Sequence, residues 1–541
     1  MRMRSLLVVS IATVATACGG PSGGNPDGGG DGDGSPGEPD AAEGPYRDFP
    51  SGPIIDTDGG ATTPPTAPDL FGDPQRGEPT GGPCLIEPEV GTLFPNNWLR
   101  PRFSWTATGG HNLFELRLTT PTQIDPLIVY TTATRWTMPA AMWAGLSAHS
   151  VDTPITVTIR GLTWNGTAVT AGPARGSTGD IAIAPVDAPG AIVYWTTTGG
   201  SALRGFHVGD ETVRDIVRPG NAVAGTQCVG CHSSTPDGDF VGFSASPNGG
   251  NGDPTKLDLR AADGTGGEPG FLTPSARTLM ARQNQEQPAF SPLHWQAGDR
   301  IAVTMFPVNN RFEIMWTDLE AASTAQGAGW GVLARTGDAD QAAYASFFHA
   351  SDRLLYVSAP TVSSGVTVTQ GDLATIPYGA RAGGTSTDIA GAATTEFNEY
   401  YPTLAPDDRY IAYNRVGSGQ SSYNNPQAEV FVIPTAGGTP VRLAANDPPA
   451  CSGRTSPGVT NSWPKWAPAV GEVGGKRYYW LTFSSTRSGS TPQLYVTPVV
   501  DEGGTLRTFP ALYLWNQPAT ENNHTPAWDD FDIVIGGPPA R

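Results

Sequence analysis

The fold is indicated by a repeated stretch whose clearest copy is residues 401–413, YPTLAPDDRYIAY. An aromatic residue and a proline lead into a Pro-Asp turn, and the turn leads into a short, largely apolar run. Related stretches recur towards the C-terminus, at residues 235–243, 290–303, 348–357, 463–481 and 526–535. Their spacing of roughly 50–70 residues is typical of one small four-stranded sheet with its loops, repeated around a ring.

These repeats resemble the TolB-like, WD40-like propeller repeat, whose signature is a Ser-Pro-Asp-Gly turn before a β run. The resemblance implies a six-bladed β-propeller, which we place at residues 187–541. The last copy runs to the C-terminus without outer strands. We therefore expect the earlier runs at residues 192–195 and 203–208 to complete the last blade and close the ring.

A second domain is expected before the propeller, at residues 83–186. It contains short runs of alternating apolar and polar residues, joined by turns rich in Pro and Gly. This pattern resembles a small β-sandwich of the immunoglobulin or fibronectin type III kind. The runs are residues 103–106, 114–118, 128–130 and 154–159. Abundant glycine (69) and proline (51) also favour an all-β fold class rich in turns.

The N-terminus predicts export. Arg2 and Arg4 precede an apolar stretch that is too short to span a bilayer, and small residues follow it up to Cys18. Residues 1–18 therefore resemble a bacterial lipoprotein signal peptide with Cys18 as the lipidated residue, and a simple secretory signal is the alternative. Residues 19–82, rich in Gly, Pro and Asp, are expected to form a disordered tether. The expected location is the outer membrane or cell surface, reached through the lipid anchor alone.

One chemical motif stands out. Cys228, Cys231 and His232 spell Cys-x-x-Cys-His, the pattern of covalent haem c attachment, in which both thiols bind the porphyrin and the imidazole binds iron. Three readings compete with it. The two cysteines could form a disulfide, they could be a thioredoxin-like redox pair, or they could bind zinc, which needs two further ligands.

Alignment of the repeats places this motif near the mouth of the central channel. His232 falls where other copies carry proline: Pro288, Pro402, Pro464 and Pro526. A second axial ligand of the iron would have to come from the same mouth. His524, just before the matching position in the last copy, is the first candidate, and Met280, in the loop before the second copy, is the other.

The remaining cysteines are Cys84 and Cys451. In an oxidising compartment they are expected to form a disulfide between the start of the folded region and a late loop. Two separate thiols are the alternative.

The sequence leaves three functional hypotheses. The first is a monohaem c-type cytochrome on a propeller, passing electrons to a redox partner protein at the cell envelope. The second is a cell-surface module that binds protein or glycan, with Cys228 and Cys231 as a plain disulfide. The third is a haem-based sensor or a peroxidase-like enzyme. No catalytic residue is predicted, and the formal net charge of -19 disfavours nucleic acid as a partner, because nucleic acid binds basic surfaces.

Overall fold

The computed structural model describes residues 44–58, 60–248, 254–349, 353–363 and 367–534. The expected signal peptide, with Cys18, lies outside these residues. Within the described part of the chain, no helix is long and apolar enough to cross a membrane. Residues from Pro45 onwards belong to one compact unit, which contains both expected domains.

The first of these domains is a two-layered β-sandwich. One layer has six strands, in the spatial order Ile54–Ile55, Leu127–Thr131, Leu113–Thr119, Ile155–Trp164, Val169–Ile183 and Leu93–Phe94. The other layer has three strands, in the order Cys84–Glu87, Arg102–Thr106 and Arg135–Thr137. Alternating apolar side chains fill the space between the layers, where the rings of Trp105 and Phe114 meet edge to face at 5.5 Å.

The propeller consists of successive small antiparallel sheets, listed here from the innermost strand outwards. The first sheet contains Cys228–Ser234, Phe240–Ser246 and Lys256–Ala261. The second contains Glu286–Phe290, Ile301–Val308, Arg311–Asp318 and Trp330–Val332. The third contains Gln341–Phe347, Arg353–Ala359, Asp372–Pro377 and Thr387–Asp388. The fourth contains Phe397–Leu404, Tyr410–Gly417, Glu429–Pro434 and Val441–Arg442. The fifth contains Asn461–Trp466, Lys476–Ser485, Gln493–Glu502 and Thr505–Thr508, with Gly471–Val473 and Leu512–Tyr513 attached.

A closing sheet joins the two ends of the propeller. The C-terminal strand Asn523–Asp529 is its innermost strand and pairs antiparallel with Ala191–Thr196, which is followed outwards by Ala202–His207 and Arg214–Val217. The ring is therefore closed by strands from opposite ends of the domain, and few free edges remain. This confirms the expected ring closure, and the sheets together confirm the prediction of an all-β chain with a sandwich before a β-propeller.

The described part of the chain contains few helices, and most of them lie between strands of different sheets. The α-helices are Ala67–Phe71, Ala140–His149 and Pro274–Met280, and the short 3-10 helices are Pro219–Asn221, Pro292–His294, Ala444–Asn446 and Ala450–Ser452. Two small paired sheets also lie in loops, Arg335–Thr336 with Gly384–Thr385 and Thr361–Ser363 with Thr367–Thr369.

The sandwich and the propeller share a hydrophobic core. Phe103 and Trp136 of the sandwich belong to the same buried cluster as Trp480, Leu494 and Trp528 of the fifth and closing sheets. A disulfide between Cys84 and Cys451 joins the two domains covalently, with the two Cα atoms 5.6 Å apart. Burial of apolar surface on both sides of this junction stabilises the pair of domains as a unit.

The segment before the sandwich differs from the expected tether. Its described residues between 45 and 82 join or pack on the six-stranded layer, with Phe49, Ala67 and Phe71 buried. The buried Arg160 donates hydrogen bonds to the backbone carbonyl oxygens of Asp73 and Arg76 at 2.9 and 3.2 Å. The composition is poor in apolar residues, but the few that are present fill a surface that the sandwich has already formed. The rest of the expected tether lies outside the described residues.

We expect Phe71→Ala to lower the free energy of unfolding by about 3–5 kcal/mol, because it leaves a cavity in a core site that is fully buried. Urea denaturation of the mature protein measures this change. Asp69→Ala, on the exposed side of the same helix, is the matched control and should have little effect. Equal effects of the two substitutions would show that this segment is not part of the folded core.

Candidate binding site at the mouth of the propeller channel

The central channel is lined by a set of β-bulges, one in each innermost strand. The register of pairing shifts at corresponding points in all these strands, for example between Tyr400 and Thr403 and between Ser462 and Lys465. In five strands two residues face one residue of the next strand, and the first residue of each pair has a positive φ angle. These residues, with Cys231 at the equivalent point of the first strand, form what we call the channel ring: Cys231, Gln287, Tyr344, Tyr401, Trp463 and Thr525.

The bulges explain why these side chains meet. Five of these residues have backbone φ angles between 50° and 61°: Gln287, Tyr344, Tyr401, Trp463 and Thr525. This is the left-handed region, which residues other than glycine rarely adopt. All of the channel-ring residues line one cavity of about 140 Å³, together with the prolines that follow four of them. The left-handed residue thus directs its own side chain into the channel. Proline fits at the next position because the hydrogen-bonded ladder is interrupted at the bulge, so its missing backbone N–H costs no strand pairing.

One side of the channel ring is aromatic. The rings of Tyr401 and Trp463 stack with their centroids 3.5 Å apart, and Tyr344 meets Tyr401 edge to face at 4.6 Å. Tyr401 and Trp463 are both largely buried. What the sequence did not show is that they occupy equivalent bulge positions around one channel. The signal was available: in both repeats, an aromatic residue comes immediately before the proline.

Cys231 is the channel-ring residue that the first sheet contributes. Burial raises the pKa of its thiol to about 12, and the buried carboxyl group of Glu286 acts in the same direction. Its neighbour Cys228 lies on the same strand, with its thiol 3.4 Å from the hydroxyl of Ser201. The structure forms no disulfide between these two cysteines.

His232 fixes the first sheet to the closing sheet. Its imidazole is buried, and its Nε2–H donates a hydrogen bond to the backbone oxygen of Val193 at 3.0 Å. The other ring nitrogen, Nδ1, is buried and has no hydrogen-bond partner among the described residues. Burial lowers the pKa of His232 to about 4, so the ring is neutral at physiological pH.

These contacts correct the expectation of covalent haem c. Haem attachment at Cys-x-x-Cys-His needs an imidazole nitrogen free to bind iron, but Nε2 of His232 is bound to Val193 and Nδ1 is enclosed. The cavity of about 140 Å³ beside Cys231 and His232 is also smaller than the roughly 300 Å³ at which small-molecule sites begin. Within the described ranges, no group of three or more His, Cys, Asp or Glu side chains is arranged to hold a metal ion.

The two candidates for a second axial ligand lie in different parts of the propeller. Met280 is buried at the end of helix Pro274–Met280, in a cluster with Leu257 and Phe290 between the first and second sheets, and it does not reach the channel. His524 does lie at the channel mouth, and its ring centroid is 4.7 Å from that of Trp195. Burial, with a smaller effect of His232, lowers the pKa of His524 to about 4.

A second and larger cavity opens beside the channel ring. It has a volume of about 390 Å³ and borders Trp463, which also lines the channel. We call it the mouth cavity. Hydroxyl and amide side chains supply most of its described lining: Thr197, Asn424, Thr460, Ser462, Ser484, Ser485, Thr486, Ser490 and Asn522. Trp463, Tyr423, Pro492 and His524 complete it, so no Asp, Glu, Lys or Arg is among the described residues of this lining.

The chain was compared with known proteins. No protein-family model matches it, and no curated protein matches it. Solved structures that match include an oligogalacturonate lyase in complex with manganese, at 14% identity and a TM-score of 0.30, covering 60% of this chain and 74% of that chain. An ancestral GH74 enzyme matches at 10% identity and a TM-score of 0.36, covering 62% and 40%. An α-L-arabinanase of Penicillium chrysogenum complexed with arabinobiose matches at 12% identity and a TM-score of 0.27, covering 43% and 67%. All three TM-scores are below 0.5, so the fold described above rests on the structure of this chain itself.

We expect acid to destabilise the wild-type protein more than a His232→Gln variant. The pKa of His232 is about 4 in the folded protein against an ordinary 6.5. Between these values the unfolded chain binds more protons, so stability is lost as the pH falls from 6.5 to 4. Glutamine keeps an N–H donor for Val193 but does not titrate. The difference between the two proteins should approach about 3 kcal/mol at most.

Urea denaturation at about pH 4 and about pH 7 measures the effect. His349→Gln is the matched control, because His349 lies exposed on a turn of the propeller, where its ring contacts Asp408 at 2.9 Å and is not buried. Parallel pH profiles for wild type and His232→Gln would contradict the buried, neutral state of this histidine.

Proposed function

We propose that this protein is an exported saccharide-binding module, with the mouth cavity as its binding site. One observation carries the proposal. In a chain with a formal net charge of -19, a cavity of about 390 Å³ has a lining of hydroxyl, amide and aromatic side chains without a charged group among its described residues.

The chemistry of this lining matches a neutral sugar. Serine, threonine and asparagine side chains both donate and accept hydrogen bonds, as sugar hydroxyl groups do. Trp463 and Tyr423 add apolar ring surface beside these polar groups. A charged ligand would find no counter-charge in the lining, because burial lowers the pKa of His524 to about 4 and keeps it neutral. Burial of a charge without a partner is strongly unfavourable.

The lining favours binding over hydrolysis. Most glycoside hydrolases use a pair of carboxyl groups on either side of the bond that is cleaved. The described residues of the mouth cavity include no carboxyl group. The concave shape and the volume also suit a small ligand better than a protein partner, which needs a broad interface.

The proposed location is the cell surface. The N-terminal sequence resembles a lipoprotein signal, and the lipidated Cys18 would hold the folded part at the outer membrane. The Cys84–Cys451 disulfide supports this proposal, because such bonds persist mainly in oxidising compartments. A saccharide-binding site on an anchored module would then face polysaccharides of the exterior or of the envelope.

A glycan array followed by calorimetric titration tests this function. We expect the mature protein to bind neutral oligosaccharides and Tyr423→Ala to weaken the best of them by at least about tenfold, since an aromatic contact contributes on the order of 1.5 kcal/mol. Asn522→Ala, which removes one amide of the lining, should weaken binding by a smaller factor.

Phe306→Ala is the matched control, because Phe306 is a partly exposed aromatic residue outside the mouth cavity. The proposal would fail if no neutral glycan bound, or if Tyr423→Ala and Phe306→Ala behaved alike.

A further inference from the structure

A different cavity lies where the sandwich meets the propeller. Its volume is about 330 Å³, and we call it the junction cavity. Its walls come from the sandwich strands Cys84–Glu87 and Arg102–Thr106 and from the fifth propeller sheet with its loops. It shares no lining residue with the mouth cavity. Clefts between domains are a common position for ligand sites.

The junction cavity is charged, in contrast to the mouth cavity. Three arginines and two glutamates line it: Arg102, Arg454, Arg487, Glu87 and Glu89. One arginine already has an acidic partner, because Arg102 donates to the Glu87 carboxyl group at 3.0 Å, and burial raises the pKa of this carboxyl group to about 7. Arg454 and Arg487 therefore face the cavity with Glu89 as the remaining carboxyl group.

Arg487 is a buried cation that lacks an anionic partner. It is 7% exposed, and its guanidinium donates to the Ser485 hydroxyl at 3.1 Å and to the Asn461 side-chain oxygen at 3.0 Å. Its other acceptors are the backbone oxygens of Asp447 and Ala445. In the described part of the chain, no carboxylate lies within ion-pair distance of it. Glu89 and Asp447 act on Arg487 only at a distance, and the rings of Phe483 and Tyr495 face its guanidinium. Burial of a charge without a direct ion pair is costly, so an anion in the adjoining cavity would be favoured.

Glu89 lacks a direct partner as well. The structure gives its carboxyl group no ion pair and no hydrogen bond within the described residues, although Arg487 is close enough to influence it. Burial raises the pKa of Glu89 to about 7, so this group is partly protonated at neutral pH and can donate as well as accept a hydrogen bond. A ligand hydroxyl group would suit such a partner.

The remaining lining fits the same ligand. Ser104, Ser452 and Ser488 offer hydroxyl groups, and Tyr495 and Tyr513 form aromatic walls. The Cys84–Cys451 disulfide joins the two sides, since Cys84 begins one lining strand and Cys451 precedes Ser452. The walls are thus held together covalently, which lowers the cost of ordering a site on binding.

We propose that the junction cavity is a second ligand site, which binds a small hydroxycarboxylate. The guanidinium of Arg454 binds the carboxylate group, since a planar guanidinium matches a carboxylate in geometry and charge. Arg487, which has one N–H left after four hydrogen bonds to the protein, adds its positive charge and that single donor. Glu89 and the serine hydroxyl groups bind the hydroxyl groups of the ligand. The site shares no lining residue with the saccharide site at the channel mouth, although Arg487 and Arg454 donate hydrogen bonds to Ser485 and Thr486, which line that site.

Titration calorimetry of the mature protein with gluconate and galacturonate tests this assignment. Sorbitol is the matched uncharged probe, because it has the carbon chain of gluconate with an alcohol in place of the carboxylate. We expect saturable binding of at least one of the two acids, at least about tenfold weaker binding of sorbitol, and a loss of at least about tenfold in Arg454→Gln, as for a charged hydrogen bond.

Arg454 is exposed, so its substitution should leave the fold intact. Arg409→Gln is the matched control, because Arg409 is also exposed but lies outside the junction cavity. Failure of both acids to bind, equal binding of sorbitol, or unchanged binding in Arg454→Gln would each overturn the proposal.

Discussion

The structure of the propeller depends on one local constraint, the bulge in each innermost strand. At this point the backbone of five strands enters the left-handed region, and the channel-ring side chain turns into the central channel. A left-handed residue other than glycine costs on the order of 1 kcal/mol, so the surrounding sheet must hold it in place. The closed ring of sheets supplies this support, and it is closed by the pairing of Asn523–Asp529 with Ala191–Thr196. This pairing also places Thr525 in the channel ring and His524 in the lining of the mouth cavity.

The bulge in the first innermost strand also determines where the side chains of the Cys-x-x-Cys-His motif lie. Cys231 and His232 stand where other strands carry an aromatic or polar residue and proline, for example Tyr401 and Pro402. The strand places the Cys231 side chain in the channel and His232 against Val193 of the neighbouring sheet. The residue spacing is that of a haem site, but the backbone conformation and the neighbouring sheet assign these side chains to a structural position.

Much of the fold could be predicted from the sequence, and less of the site. The repeated turn before an apolar run predicted the propeller, and the missing outer strands of the last repeat predicted its closure. Both depend on local patterns that recur many times. The packing of Phe49 and Phe71 could not be predicted, because a few apolar residues in a Gly- and Pro-rich segment bury only against a surface built elsewhere. The bond from His232 to Val193 joins two sheets, and the charge-free lining of the mouth cavity comes from several loops. A single sequence does not show contacts between distant residues. It shows only the residue types and their spacing.

The central claim is that Cys228, Cys231 and His232 are structural residues of a propeller strand. The most direct test is the intact mass of the mature protein, made in a host that carries the haem-attachment machinery. The account predicts the mass of the polypeptide with Cys228 and Cys231 unmodified, and no visible absorbance that survives denaturation. A mass increased by one haem, lost in a Cys228→Ser/Cys231→Ser variant, would contradict it.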